Sequence, residues 1–558
     1  MLNDPNKFLL TLLVTTCGTL LFNIQIGFNL HYPGVLLISV ILMVFPVIFL
    51  LFFKSALFSH YRLFLLAIIP LIPYNYIMSI TMGVPVGYTD PHTHLLQCYN
   101  FINDEGHLQF IPGHTDTMSL NFVGLYTICH FINVVASLQL PTITSVFPPF
   151  FNLILIISVY LVVSKLFNRN IGLIAMILYG WEYQVLVFGQ ELRTQTIGTL
   201  LTYILLFVYL YISANKNRQF SSKCLLIILS LAIVTSSFVS IVNAVFIFTC
   251  MVLVMLVVQL RSKKRECEHF TLMSSVLVLM VFFMIYLLYI GQSFSTIGDA
   301  IQILLQSSID NARSEATVSV SESVGQLMFG KFVQITYYIF WSLFIVGVPI
   351  YLYSAIKSKE KYQMALIISF VAYLFLFASY CLFGALSIGR VYVFGYLIIV
   401  AVVASLKYNL ESLNIDDNRK YRRSITIVIV CILLILIAAS VIKQPQYVIG
   451  DTRPLRGLSL IDDVPYWSGD QPSYRAQEYL DRNLISQYQS VSYYITVKKY
   501  FMRSTYEVQP GLKHTKIHLL HNKFQGNIYP SRSILPPLSF FDRLNMIYSN
   551  EDYIVFSD

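Results

Sequence analysis

Residues 190–218 run Gln190-Glu-Leu-Arg193-Thr194-Gln-Thr-Ile-Gly-Thr-Leu-Leu-Thr-Tyr-Ile-Leu-Leu-Phe-Val-Tyr-Leu-Tyr-Ile-Ser213-Ala-Asn-Lys216-Asn-Arg218. A polar break opens the stretch, twenty uncharged and mostly apolar residues follow, and a basic cluster closes it. A helix rises about 1.5 Å per residue and a bilayer core is about 30 Å thick, so residues 194–213 are long enough to cross. Lys and Arg stay on the cytoplasmic side, which puts Lys216 and Arg218 inside and Arg193 outside.

The pattern recurs along the whole chain. Apolar runs lie at about 8–28, 33–53, 63–82, 118–138, 145–164, 171–190, 194–213, 224–238, 240–260, 270–290, 332–354, 363–384, 390–407 and 424–442. Basic loops lie at Lys54–Arg62, Lys165–Arg169, Lys216–Lys223, Arg261–Arg265, Lys357–Lys361 and Lys407–Arg423. All of them fall inside if one run does not cross. Run 118–138 is that run, expected to lie in the outer interface or to re-enter. Thirteen crossings remain, with the N-terminus cytoplasmic and the C-terminus outside.

Composition agrees. Of 558 residues, 56% are hydrophobic and 12% charged, about half the charge of a soluble domain. That excludes a soluble globular enzyme, a disordered chain and a small disulfide scaffold. The net charge of +9 is a topology signal. Cytoplasmic segments hold 20 of the 37 basic residues and only 7 of the 28 acidic ones, so no basic nucleic-acid surface is needed. The eight cysteines include no close pair and fall mostly in apolar runs, where they act as small core side chains. Run 8–28 is too long for a signal-peptide core and lacks a clear small-residue cleavage site.

The expected fold is an α-helical polytopic membrane protein of about 13 transmembrane helices with a small C-terminal extracytoplasmic α/β domain. Residues 1–442 form the bundle, with outer loops 83–117 and 291–331, and residues 443–558 the outer domain. That tail has turns at Asp451–Pro454 and Ser468–Pro472, a helical pattern at Ser473–Leu484 and strand-like alternation at Val491–Tyr500.

Polar residues that could carry chemistry collect on the outer side. Tyr88-Thr-Asp90-Pro-His92-Thr-His94 starts the first large loop, followed by Asn103-Asp-Glu-Gly-His107. A partly desolvated Asp90 at the boundary suits a general base toward a hydroxyl. Asp90, His92 and His94 alternate like metal ligands and could seat a divalent ion; equally, Asp-Pro could simply cap a helix starting near His92. Arg193 and Arg390 each open an outer helix start, where backbone N–H groups and a guanidinium together make a phosphate seat. Lys331 after Gly330 is a third such position. Snorkelling toward headgroups is the ordinary alternative for all three. Glu182 lies mid-run and must face a polar cavity or stay protonated. Glu191 and Gln195 flank Arg193 and could orient it or meet an acceptor.

On these features the sequence resembles a GT-C membrane glycosyltransferase, of the kind related to protein O-mannosyltransferases and aminoarabinose transferases. The resemblance is carried by the Asp90 loop, the interfacial helix after it, the Glu191-x-Arg193-x-Gln195 break, and the bundle with an outer tail. The tail's end, Asn545-Met-Ile-Tyr-Ser-Asn-Glu-Asp-Tyr-Ile-Val-Phe556, is similar to those of archaeal surface-glycan members. The chain departs from the pattern in having three spans before that loop and Asp90-Pro91 where an Asp-Glu pair is usual.

The resemblance implies a multi-pass cell-membrane enzyme that moves a sugar, with inversion, from a polyprenyl- or dolichyl-phosphate-linked donor to a glycan, lipid or protein acceptor. On that model Asp90 is the base and Arg193 and Arg390 hold the leaving phosphate. No cofactor is implied beyond the divalent ion. A transporter or flippase of lipid-linked glycans is the main alternative, and a non-catalytic assembly subunit a third. Sidedness is directly testable in a background without native cysteines. A cysteine replacing Asn103 should react with an impermeant maleimide in intact cells, and one replacing Lys216 only after permeabilisation; the reverse pattern overturns the topology.

Overall fold

Unbroken apolar runs form long helices, and proline, glycine or a buried charge decides where they stop. The computed structural model describes residues 5–27, 33–53, 59–76, 123–138, 140–182, 192–214, 219–261, 269–286, 324–358, 361–382 and 388–412. It also describes strands at 503–507, 516–521, 545–549 and 553–557, and single positions at 94, 98, 101, 185, 186, 189, 427, 430, 431, 434 and 435.

α1 (Pro5–Gly27) and α2 (Pro33–Phe53) pack as a pair and match two expected runs. Run 63–82 is interrupted: α3 (His60–Ile68) stops before Pro70, and α4 (Leu71–Asn75) follows. A proline offers no N–H to the preceding turn and its ring clashes with it, which explains the break. α5 (Gly124–Ala136) has thirteen residues and ends at Ser137 in the left-handed conformation, φ 52°. At about 1.5 Å per residue it is about 20 Å long, too short for a 30 Å core.

α6 (Leu140–Leu166), α7 (Arg169–Gly180) and α8 (Thr194–Ala214) come next. The Asn168 side chain caps α7, accepting from the backbone N–H groups of Asn170 and Ile171 at 3.0 Å each. Then follow α9 (Gln219–Ser236), α10 (Phe238–Arg261), α11 (His269–Ile285), α12 (Val324–Ser358), α13 (Lys361–Leu382) and α14 (Ile388–Ser412).

α6 lies against α7 and α8, and α14 against α7, α12 and α13. α7 is buried from Ile171 to Gly180 and α14 from Val393 to Leu406. A helix apolar on every face belongs in the middle of a bundle, and these two sit there. Outward-facing Leu9, Ile228, Ile345 and Phe375 are exposed, a pattern that acyl chains satisfy better than water. Among the described residues, four segments are long and apolar enough to cross a membrane: Val146–Leu166, Thr194–Ile212, Val239–Val258 and Tyr338–Lys357.

Two further expected runs change. Run 171–190 is not one helix, because α7 ends at Gly180 and Trp181-Glu182 leave helical geometry. The chain is helical again at Val185, Leu186 and Gly189, with the Leu186 N–H donating to the Glu182 carbonyl at 3.0 Å. Run 332–354 starts earlier, since α12 opens at Val324.

In the tail, β1 (Arg503–Glu507), β2 (Lys516–His521), β3 (Asn545–Ser549) and β4 (Tyr553–Ser557) form an antiparallel sheet of order β1-β2-β4-β3. β3 and β4 are the Asn545–Phe556 stretch singled out above. The pattern expected at 473–484 and 491–500 lies outside the described residues.

Candidate functional site

The site is organised where the run before the first large loop meets α6. Pro148 and Pro149 deprive the start of α6 of two backbone donors. Side chains of the α4 end bind the carbonyls in this turn: Asn75 Nδ2 donates to the Pro149 carbonyl, and Tyr76 Oη to that of Val146 at 3.2 Å. Asn152 Nδ2 in turn donates to Asn75 Oδ1 at 2.6 Å. The Pro149 carbonyl fixes which way both amides face, because it accepts only from an N–H. Asn75 therefore turns its oxygen to Asn152, and Asn152 turns its nitrogen to Asn75. Asn152 Oδ1 is left pointing elsewhere, buried and without a hydrogen-bond partner among the described residues. Gly189 lies flat against that amide; a Cβ there would stand 2.0 Å from Asn152 Cγ.

The loop itself is anchored to α5. His94, Cys98 and Phe101 are helical and recur at the spacing of one helix face. His94 Nδ1 and Tyr126 Oη share a hydrogen bond of 3.0 Å, the free thiols of Cys98 and Cys129 lie side by side, and Phe101 meets His130 edge-on at 5.7 Å. Burial lifts the Tyr126 phenol well above its ordinary range, helped by the two thiols, so it stays a neutral hydroxyl. These residues share a small core with Leu125, Ile143, Leu192 and Ile197. Leu192 and Ile197 bracket Arg193, so the segment just after Asp90 and the start of α8 are tied into one rim.

Arg193 is 7% exposed and immediately precedes α8. It forms a wall between two clefts. One, of about 310 Å³, is apolar and runs along α5 and α6, lined by Ile128, Ile132, Ile143, Phe147 and Phe151. The other, of about 280 Å³, is lined by Asn152, Gly189, Gln195, Thr196, Thr199 and Val393. Arg193 and Thr196 belong to both. The first turns of α14 are brought to this cleft by two tyrosines: Tyr179 Oη donates to the Val393 carbonyl at 3.1 Å, and Tyr203 Oη to that of Phe394 at 2.7 Å.

Arg193 thus stands at its expected helix start, and Gln195, 9% exposed, is in the first turn of α8. Arg390 is in the first turn of α14, one turn before Val393. Lys331 is not at a helix start: it lies two turns inside α12, so exposed N–H groups do not surround it. Glu182 is buried at 4%, as its position required, but it follows the end of α7 and lines neither cleft. Its neighbour Trp181 stacks at 4.2 Å on Tyr74, which lies within electrostatic reach of Glu182. Asp90, His92 and Glu191 lie outside the described residues. His94 turns its Nδ1 to Tyr126, and no group of three His, Cys, Asp or Glu side chains capable of holding a metal ion comes together among the described residues. Asn152 and Thr199 were not singled out from sequence. Their signal was a lone Asn after a Pro pair in an apolar run, and a Thr on the Arg193 helix.

No protein-family model and no characterised protein matches the chain. Among solved structures, it is similar to the oligosaccharyltransferase of Archaeoglobus fulgidus in its apo form, with TM-score 0.44 and 12% identity over 76% of this chain and 59% of that one. The oligosaccharyltransferase AglB from the same organism, in complex with an inhibitory peptide and a dolichol-phosphate, gives TM-score 0.41 and 12% identity over 77% and 59%. The chain thus spans less than two thirds of the length of these structures. No residue assignment rests on this likeness.

The Gly189 contact can be tested by Gly189→Ala. The new methyl forces the Asn152 amide or the 185–189 segment to move, which should cost about 1–3 kcal/mol. The thermal midpoint of the purified protein in detergent should fall, and an unchanged midpoint would show that the two elements do not touch.

Proposed function

We propose that the chain is an integral-membrane, inverting glycosyltransferase that moves a sugar from a polyprenyl- or dolichyl-phosphate donor to an acceptor at the outer face. One observation carries this reading: a buried guanidinium at a helix start borders two clefts, one lined by the apolar side chains of α5 and α6, the other by Leu155, Val185 and Val393 together with Asn152, Gln195 and Thr199. A lipid-phosphate sugar has the same three parts in the same order. The prenyl chain takes the cleft along α5 and α6, the phosphate meets Arg193, and the sugar enters beside Asn152 and Thr199.

The chemistry follows from charge. In the transfer, the acceptor hydroxyl attacks the anomeric carbon, its proton passes to a base, and the bond from that carbon to the phosphate oxygen breaks. Negative charge grows on the phosphate. Arg193, the first N–H groups of α8 and Arg390, in the first turn of α14, are proposed to stabilise it. Asp90 is the proposed base, four residues before the anchored His94. Glu191 and Gln195 are proposed to orient Arg193 or the acceptor, and no step is routed through a metal ion. The tail 443–558 is proposed to stand over this face as an extracytoplasmic domain, with the bundle at 1–442.

A flippase would need charged groups along a whole crossing. Among the described residues the buried charged side chains are Glu182 and Arg193 alone, which favours chemistry at the rim. Two variants separate the roles. Arg193→Met should weaken binding of dolichyl phosphate at least tenfold, the loss expected when a charge-assisted contact is removed. Asp90→Asn should leave that binding intact and reduce sugar transfer by at least a hundredfold, the lower range for a general base. Full transfer by both variants would overturn the reading.

A further inference from the structure

We propose that Asn152 and Thr199 form the sugar-reading end of the polar cleft, and that they select an uncharged, hydroxyl-bearing ring. The inference rests on the donor reading of Arg193 and names what that reading leaves open, the group that fills the cleft beyond the phosphate.

Two buried atoms carry it. Asn152 is 0% and Thr199 1% exposed. Asn152 Oδ1 and Thr199 Oγ1 have no hydrogen-bond partner among the described residues, and both residues line the cleft with Arg193. Buried polar atoms are nearly always satisfied, so a pair of orphans facing one cavity marks a place where the partner arrives with a ligand. They come from different helices, α6 and α8, and both residues line the same cleft. The Asn152 orientation is forced from behind by Asn75 and Pro149, so the cleft receives an acceptor and not an amide N–H. Thr199 adds a hydroxyl that donates or accepts.

The chemistry of the ligand follows. An acceptor oxygen and a hydroxyl suit sugar hydroxyl groups. An ammonium group would meet Arg193 and, among the described lining residues, no carboxylate. Thr199 lies six residues beyond Arg193, about 9 Å along the helix, which matches a ring hanging from a phosphate at the helix start.

The test compares sugar-free and sugar-bearing lipid phosphates on the purified full-length protein. The probes are dolichyl phosphate and dolichyl phosphate carrying mannose, glucose or N-acetylglucosamine. Thr199→Val removes an unpartnered hydroxyl at nearly constant shape, so the fold should be as stable as before or more so. Wild type should bind at least one sugar-bearing lipid more tightly than dolichyl phosphate. Thr199→Val should reduce that preference about fivefold to tenfold and leave dolichyl phosphate binding unchanged. Asn152→Leu should reduce it further, and Thr199→Val stands as the deciding variant if Asn152→Leu does not fold.

A preference unaltered by Thr199→Val overturns the proposal and assigns the cleft to water. Equal weakening of all four lipids also overturns it, because a structural defect would act that way. If wild type binds dolichyl phosphate as tightly as every sugar-bearing form, the subsite falls and the phosphate seat stands. If wild type binds none of the four, the donor reading falls and takes this proposal with it.

Discussion

In hydrocarbon a polar group has no water to fall back on, so each one must find a partner in the protein or in a ligand. The chain from Pro149 through Asn75 to Asn152 is how this constraint acts on the fold. Two prolines lie within α6, and an asparagine from α4 donates to the carbonyl of the second. The same asparagine then holds Asn152, which sets the amide behind the polar cleft. One short network therefore fixes the end of the segment leading to Asp90, the approach of α4 to α6, and the acceptor presented inside. Removing Asn75 would release the Asn152 amide and leave the Tyr76 bond to the Val146 carbonyl to hold the end of α4 to α6.

The second organising element is Arg193. A guanidinium near a membrane rim is costly to bury, and the helix start behind it is already positive. Both features favour an anion. On the proposed reading, the two clefts on either side restrict which anion, since a free phosphate has no use for Phe147 and Phe151, and a plain lipid has none for Asn152 and Thr199.

Much of the bundle was legible because long apolar runs obey one period and one length. α1, α2, α6 and α8 fall within a few residues of their expected bounds, and run 118–138 yields a helix too short to cross. The misses share a cause. Hydropathy cannot see a helix end inside an apolar run, so the breaks at Pro70 and at Trp181-Glu182 were read through, and so was the polar opening of α12 at Val324. Arg193 could be read because a charge at a run's edge is conspicuous. Asn152 and Thr199 could not, because their meaning depends on which bonds neighbouring helices leave unmade. Thr202 on the same helix bonds the Gly198 carbonyl at 2.8 Å, and Ser158 on α6 bonds that of Leu155 at 2.6 Å. In sequence these residues look like Thr199 and Asn152.

The two helix starts also constrain each other. Tyr203 is nine residues into α8 and bonds the Phe394 carbonyl, six residues into α14. Val393, one turn after Arg390, lines the cleft that Arg193 borders, so the first turns of α14 stand beside the start of α8. Tyr179 and Tyr203 make this arrangement rigid, because each hydroxyl is spent on a carbonyl of a fully buried helix. The proposed phosphate seat needs that rigidity, since donors that must rearrange as charge develops lose much of their effect. The buried tyrosines hold the first turns of α14 at the cleft that Arg193 borders.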